Sequence, residues 1–279
     1  MALLAAVTLL AGCSSVRLAY NNASQLSWWW VDGYVDFSRE QAPQVKLALD
    51  GFVDWHRGTQ LPAYAALLAR VQGPILEPLN GDQTCRWQAE VREQLEPALQ
   101  RALALAAEQL PGLGETQFKH IEVKQAKSLV EAREAFMQTD PGERLTASVK
   151  RTVERAERLY GRLDDAQRRL VRAGVLVSPF DPALWLKERQ RRQRELLVTL
   201  RRLVAERADV DQRLAALRML TVHTERSPDP VYRAYQIKLA QYNCDFAARI
   251  HNATTPVQRL KARETLKGWE DDFRALMAP

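Results

Sequence analysis

The sequence predicts an all-α protein, an irregular multi-helix bundle or helical array joined by short Pro/Gly turns. Three observations predict it. Ala, Leu, Arg, Glu and Gln dominate, and all are good helix formers. Gly is held to 12 of 279 residues, and β-branched alternation is nearly absent, with Ile confined to Ile75, Ile121, Ile237 and Ile250. Apolar residues recur at helical spacing between clear breakers, as in Trp87, Val91, Leu95, Ala98, Ala102 and Leu105, and again in Leu196, Leu200, Leu203, Leu214 and Leu217.

The first element is not part of the body. Ala2 to Ala11 is uncharged and apolar, and it ends in Leu10-Ala11-Gly12-Cys13. A segment this short cannot cross a bilayer, which takes about 20 apolar residues, so it reads as a signal peptide. Leu-Ala-Gly-Cys is similar to the bacterial lipobox, which implies that Cys13 is acylated and becomes the first mature residue. Met1-Ala2-Leu3-Leu4 lacks the charged start a signal peptide carries, which points to translation beginning upstream. An ordinary signal peptide with an incidental Cys is the competing reading. We therefore expect 1–12 to be a lipoprotein signal peptide and 13–279 a single lipid-anchored helical domain, with 13–23 as its tether. No other segment reaches 18 apolar residues. Ser14, not Asp, follows Cys13, which resembles the outer-membrane default and implies a site there, facing the periplasm.

Asn21 to Phe37 opens the body. Later helices are expected over 39–57, 60–72, 83–110, 115–138, 142–161, 165–174, 182–207, 210–225, 229–252 and 256–277. Pro97 should kink or split the fourth helix counted from Asn21. Gly73-Pro74, Pro78 with Asn80-Gly81-Asp82, Pro111-Gly112, Asp140-Pro141-Gly142, Ser178-Pro179 with Asp181-Pro182, Ser227-Pro228 with Asp229-Pro230, and Thr255-Pro256 separate these helices. No low-complexity linker divides the chain, so one continuous domain is the simplest reading.

Four stretches share a form: Ser38 with Gln41, Gly114 with Gln117, Asp164 with Gln167 and Thr255 with Gln258. A cap residue followed three positions later by Gln is a capping box, in which each side chain takes the other's backbone N–H, except at Gly114, where only the Gln half can form. Leu113 and Phe118 add a hydrophobic staple to the second. Intervals of 76, 50 and 91 residues exclude a regular solenoid.

These stretches resemble the LTxxQ motif of Spy/CpxP-type periplasmic helical stress proteins. A broader set is similar to a Gram-negative lipoprotein family of unknown function. It comprises the lipobox, Tyr20-Asn21, Trp29-Trp30-Val31-Asp32, Gln41, Trp55-His56-Arg57, Leu61-Pro62-Ala63-Tyr64, Tyr242, Cys244, Asn252, Gln258-Arg259 and Trp269. The resemblance implies an exported helical lipoprotein and supplies no activity.

With Cys13 acylated, Cys85 and Cys244 are the two remaining thiols, and an oxidising compartment allows them one pairing. Two buried free thiols are the alternative. The net charge of +6 suggests an anionic partner. Export argues against nucleic acid and leaves anionic lipid, lipopolysaccharide or an envelope protein; simple solubility is the competing explanation.

No catalytic motif stands out. His56, His120, His223 and His251 form no HExxH or i, i+4 pair, and there is no GxSxG element or phosphate-cradling Gly loop. The expectation is therefore a non-enzymatic protein with no metal and no cofactor. His56 is the one candidate ligand contact, with packing beside Trp55 the competing reading, and a hydrolase with an unrecognised site there is the alternative function. Asp32 and Asp36, four apart, could share a proton or a cation, or could simply be solvated. Trp28, Trp29 and Trp30 turn by about 100° each on a helix, so at least one must leave the core. That one could rest at a membrane interface or fill a groove. Lys187 to Arg218 carries ten basic against five acidic residues. Arg189, Arg191, Arg192 and Arg194 are candidates for an anionic partner, against a solvated, salt-bridged face. The function expected is binding of a protein or anionic envelope component, in a chaperone-like role; a purely structural envelope scaffold is the alternative.

Overall fold

A computed structural model describes residues 15–277. Among these residues the protein is eleven α-helices and two short 3-10 turns, with no strand. The helices are α1 Ser15–Asn21, α2 Ala23–Val35, α3 Ala42–Val71, α4 Gly81–Gln109, α5 Glu115–Phe136, α6 Pro141–Tyr160, α7 Asp165–Leu176, α8 Pro182–Ala205, α9 Val210–Glu225, α10 Pro230–Asn252 and α11 Pro256–Met277. The 3-10 turns are Pro74–Leu76 and Leu110–Gly112.

The Pro punctuation works as its chemistry requires. Pro141, Pro182 and Pro230 each open a helix, where a missing N–H costs nothing. Asp140, Asp181 and Asp229, just before them, accept hydrogen bonds from the first free amides.

Four expectations are corrected. The break placed between 57 and 60 does not exist, because α3 runs through Pro62 for 30 residues. Leu61 and Ala65, on either side of that proline, are 1% and 2% exposed, and α11 packs along α3. Burial on both flanks outweighs the lost hydrogen bond. Pro97 does not split α4 either. The apolar stripe expected on α4 is not its buried face, since Val91 and Leu95 are about half exposed. α4 touches α3, α9 and α10, so its contacts are shared around the helix instead of along one seam. Finally, the tether is not loose from Ser15 onward. α1 is helical and packs on α11, with Arg17 Nε 2.7 Å from Asp272 Oδ1.

Burial is spread over three clusters. Ala107, Leu110, Phe118, Ile121, Leu200, Leu203 and Leu217 join α4, α5, α8 and α9. Ile75, Tyr160, Ala262 and Leu266, with Leu68 and Val71 packed against them, join α3, the first 3-10 turn, α6 and α11. Val153, Leu163, Val171 and Phe246 join α6, α7 and α10. Gly174 lets α7 meet α10 closely, because a Cβ there would fall 2.1 Å from the Phe246 ring.

Cys85 and Cys244 form a disulfide that staples α4 to α10, with Cα atoms 5.3 Å apart and 159 residues of separation.

The capping boxes also link helices that are far apart in sequence. Gln41 Oε1 accepts from Ser38 N–H, and Gln117 Oε1 accepts from Gly114 N–H. Gln41 Nε2 then donates to Gly112 C=O, and Gln117 Nε2 donates to Asp36 C=O at 3.4 Å. The same pattern recurs between α7 and α11. Gln167 donates to Ala253 C=O and Gln258 to Arg162 C=O, both at 2.9 Å. In all four cases the accepting carbonyl lies two residues before the other helix's cap. Each junction is a reciprocal clasp between two helix starts. At Ser38 the box forms in a turn, and regular helix begins at Ala42.

Candidate functional site

Cys13 and the signal segment lie outside the described residues. The first candidate that can be placed is the tryptophan triplet. Trp28 is 9% exposed, stacks on Phe37 at 6.0 Å and carries Lys46 Nζ 4.6 Å above its ring. Its expected binding role is therefore corrected to packing. Trp29 and Trp30 are 62% and 72% exposed. With Leu26 and Gly33 they occupy positions i, i+3, i+4 and i+7 of α2, which is one helix face. Leu18 on α1 is also exposed.

Asp32 and Asp36 do not converge. Asp32 Oδ1 accepts from Phe37 N–H at 3.1 Å, while Asp36 ends α2 in the left-handed region and faces His120 at 3.8 Å.

His56 is half-buried among Tyr20, Phe52, Trp55 and Tyr64. Tyr20 Oη lies 2.7 Å from its Nδ1. Burial holds its pKa below the ordinary value. These contacts make His56 a packing residue that helps seat α1 on α3.

The arginine cluster is mostly spoken for. Arg191 and Arg192 both donate to Glu188, which is only 4% exposed, and Arg191 also reaches Glu195. Burial by itself would raise the Glu188 carboxyl, but hydrogen bonds from Arg191, Arg192 and Ser227 outweigh it and hold it below the ordinary range. His223 Nδ1 bonds Glu195 as well. Arg189 Nη2 donates to Ser128 Oγ on α5. Of the four, only Arg194 falls in the exposed class. Arg191 and Arg192 thus follow the salt-bridged alternative to an open anionic-partner surface. A buried carboxylate demands paired cations, and the excess positive charge partly answers that demand.

Cavities open at two places that bear on a site. A groove of 630 Å³ between α6 and α7 is floored by Val149 and Val153 and rimmed by Lys150, Glu154, Glu157 and Arg172. Its charges are mixed and largely self-compensating. A smaller pocket of 200 Å³ is walled by Trp185, Arg189, Arg192, Gln193 and Tyr232. The sequence named its two arginines and missed the rest. Trp185, Arg189, Arg192 and Gln193 sit at i, i+4, i+7 and i+8 of α8, a pattern readable in advance. Tyr232 arrives from α10, which no local pattern reveals.

Among the described residues no group of three or more His, Cys, Asp or Glu could hold a metal ion, and no helix is long and apolar enough to cross a membrane.

Residues 33–221, about two thirds of the chain, match the model of a family of unknown function (DUF6279). No curated protein and no solved structure matches.

Proposed function

The chain belongs to the family of unknown function DUF6279, and from that premise we propose that it is a lipid-anchored, non-enzymatic helical protein. We place it on the periplasmic side of the outer membrane, where it binds a protein or an anionic envelope component. Acylation at Cys13 holds it there, and the Leu26–Trp29–Trp30 face of α2 rests against the membrane. The observation that carries this reading is the exposure of Trp29 and Trp30 on one face so close to the expected anchor. Tryptophan is favoured at the membrane–water interface, where its ring is buried and its N–H stays wet. Roughly 100 Å² of further burial per ring, at about 25 cal/mol per Å², contributes ~2–3 kcal/mol each. That is ample to orient a body already tethered by acyl chains.

The test has two parts. Cys13→Ser should abolish palmitate uptake and release the protein from membranes; unchanged labelling rejects the anchor. The released protein should sediment with phospholipid vesicles, and Trp29→Ala with Trp30→Ala should reduce that partition at least tenfold. Equal partition of the two proteins rejects the α2 face as a membrane contact.

A further inference from the structure

The pocket between α8 and the start of α10 is a built site, and its chemistry is narrower than a positive surface. Its walls carry two guanidinium groups and no acid: Arg189 and Arg192, with Trp185, Gln193 and Tyr232. Each guanidinium is held against an aromatic ring. Arg189 Cζ sits 5.6 Å from the Trp185 ring centre, and Arg192 Cζ sits 5.7 Å from that of Tyr232. Such stacking fixes the planar group and leaves its edge for an anion. Arg192 spends Nε on Glu188 and Arg189 spends Nη2 on Ser128, so each keeps further N–H donors. Arg191 shares the charge of Glu188 from the other side. Glu188, which Arg192 and Arg191 share, is thereby already matched, and no carboxylate lines the pocket itself.

Two further atoms define the ligand. Arg189 Nε and Gln193 Oε1 are buried with no hydrogen-bond partner among the described residues. One is a donor and the other an acceptor. Gln193 Nε2 points back to Gln125 C=O at 3.5 Å, which orients the amide. A ligand complementary to this pair brings an anion and, beside it, an N–H. A free amino acid has the wrong donor, since its ammonium would meet two guanidinium groups. A phosphate ester supplies the anion without the N–H.

We infer that this pocket takes the terminal carboxylate of a short peptide. The carboxylate lies between Arg189 and Arg192, the last amide N–H faces Gln193, and a small last side chain packs on Trp185 and Tyr232. The volume of 200 Å³ admits little more than the chain end. The inference rests on the envelope-binding reading for where such peptides are met, and it adds the ligand's chemical class.

Titration calorimetry tests it with the full chain made soluble by Cys13→Ser and no vesicle present. The outcome is therefore separate from that of the membrane face. The probes are N-acetyl-Ala-Ala, the same dipeptide with a C-terminal amide, and inorganic phosphate. The acid should bind, the amide should bind at least tenfold more weakly, and phosphate should bind more weakly than the acid. Added salt should weaken the acid, and Arg192→Gln should lose at least tenfold while its melting curve stays cooperative. The acid–amide comparison uses the intact pocket, so it stands even if that variant misfolds. No heat from the acid, equal binding of acid and amide, or phosphate binding tighter than the acid would each overturn the inference.

Discussion

His251 shows how a lone histidine, isolated in sequence, becomes a structural hub. It is 1% exposed, with Nδ1 2.9 Å from Tyr160 Oη and Nε2 2.8 Å from Glu77 C=O. A carbonyl can only accept, so Nε2 carries the proton and Nδ1 accepts from the tyrosine. The ring is neutral. Burial lowers its pKa, more than the hydrogen bond to Glu77 raises it, and burial pushes the Tyr160 phenol up to about 12. The unfolded chain therefore binds a proton before the folded one does. Above the ordinary histidine value near 6.5 the contribution of His251 to stability is whole, and it is lost as pH falls below that value. In a proton NMR titration the His251 ring should show a midpoint below 6.5, and a midpoint above it would contradict the assignment. The sequence drew attention to His56, beside Trp55, and gave His251 no mark, because Tyr160 and Glu77, which set the His251 ring, come from other elements.

At the scale of the element, capped helix starts were the most legible feature and continuity through an internal proline the least. Capping chemistry is local, so Asp164 with Gln167 and Thr255 with Gln258 could be read from four residues each, and both boxes form. Two more, Asn80 with Gln83 and Asp209 with Gln212, carry the same signal and were overlooked. Continuity through Pro62 was not readable, since it depends on α11, some two hundred residues later. Nor were the clasps between helix starts, which local pattern cannot pair. They have an energetic consequence. Gln258 serves both its own cap and a carbonyl on the α6–α7 loop, and its amide exchanges hydrogen bonds with Gln167. The recorded bonds of Gln212 are confined to its own box. Gln258→Ala should therefore destabilise by about 2 kcal/mol and Gln212→Ala by about 1 kcal/mol in urea unfolding. Gln167→Ala and Gln258→Ala combined should cost measurably less than the sum of the two. Strict additivity would show that the clasp carries no coupling.

For the whole molecule, three small cores need a covalent tie. The Cys85–Cys244 bridge provides it by joining α4, which touches the first core, to α10, which builds the third. Closing a loop of 159 residues removes unfolded-state entropy worth about 4–5 kcal/mol in the chain-entropy model. Reduction, or Cys85→Ser with Cys244→Ser, should lower the unfolding free energy by a large part of that amount. An unchanged urea midpoint in reductant would show that the packing of α4 on α10 suffices alone. The all-helical class and the bridge were both legible, because composition and a pair of leftover thiols constrain the entire chain. The small pocket was half legible: its arginines lay in a conspicuous run, but its Tyr232 wall comes from another helix.

The packing of α11 on α3, α6 and α1 sets an order of assembly. α11 emerges some two hundred residues after α3, completes the burial of that helix and closes the clasp on α7. Until it emerges, Tyr160 lacks Ala262 and Leu266, its partners in the second core, and the thirty-residue α3 has an unprotected seam. A premature stop ahead of Ala262 would thus injure a much older part of the chain, leaving a truncated product that quality-control proteases should recognise by its uncovered middle.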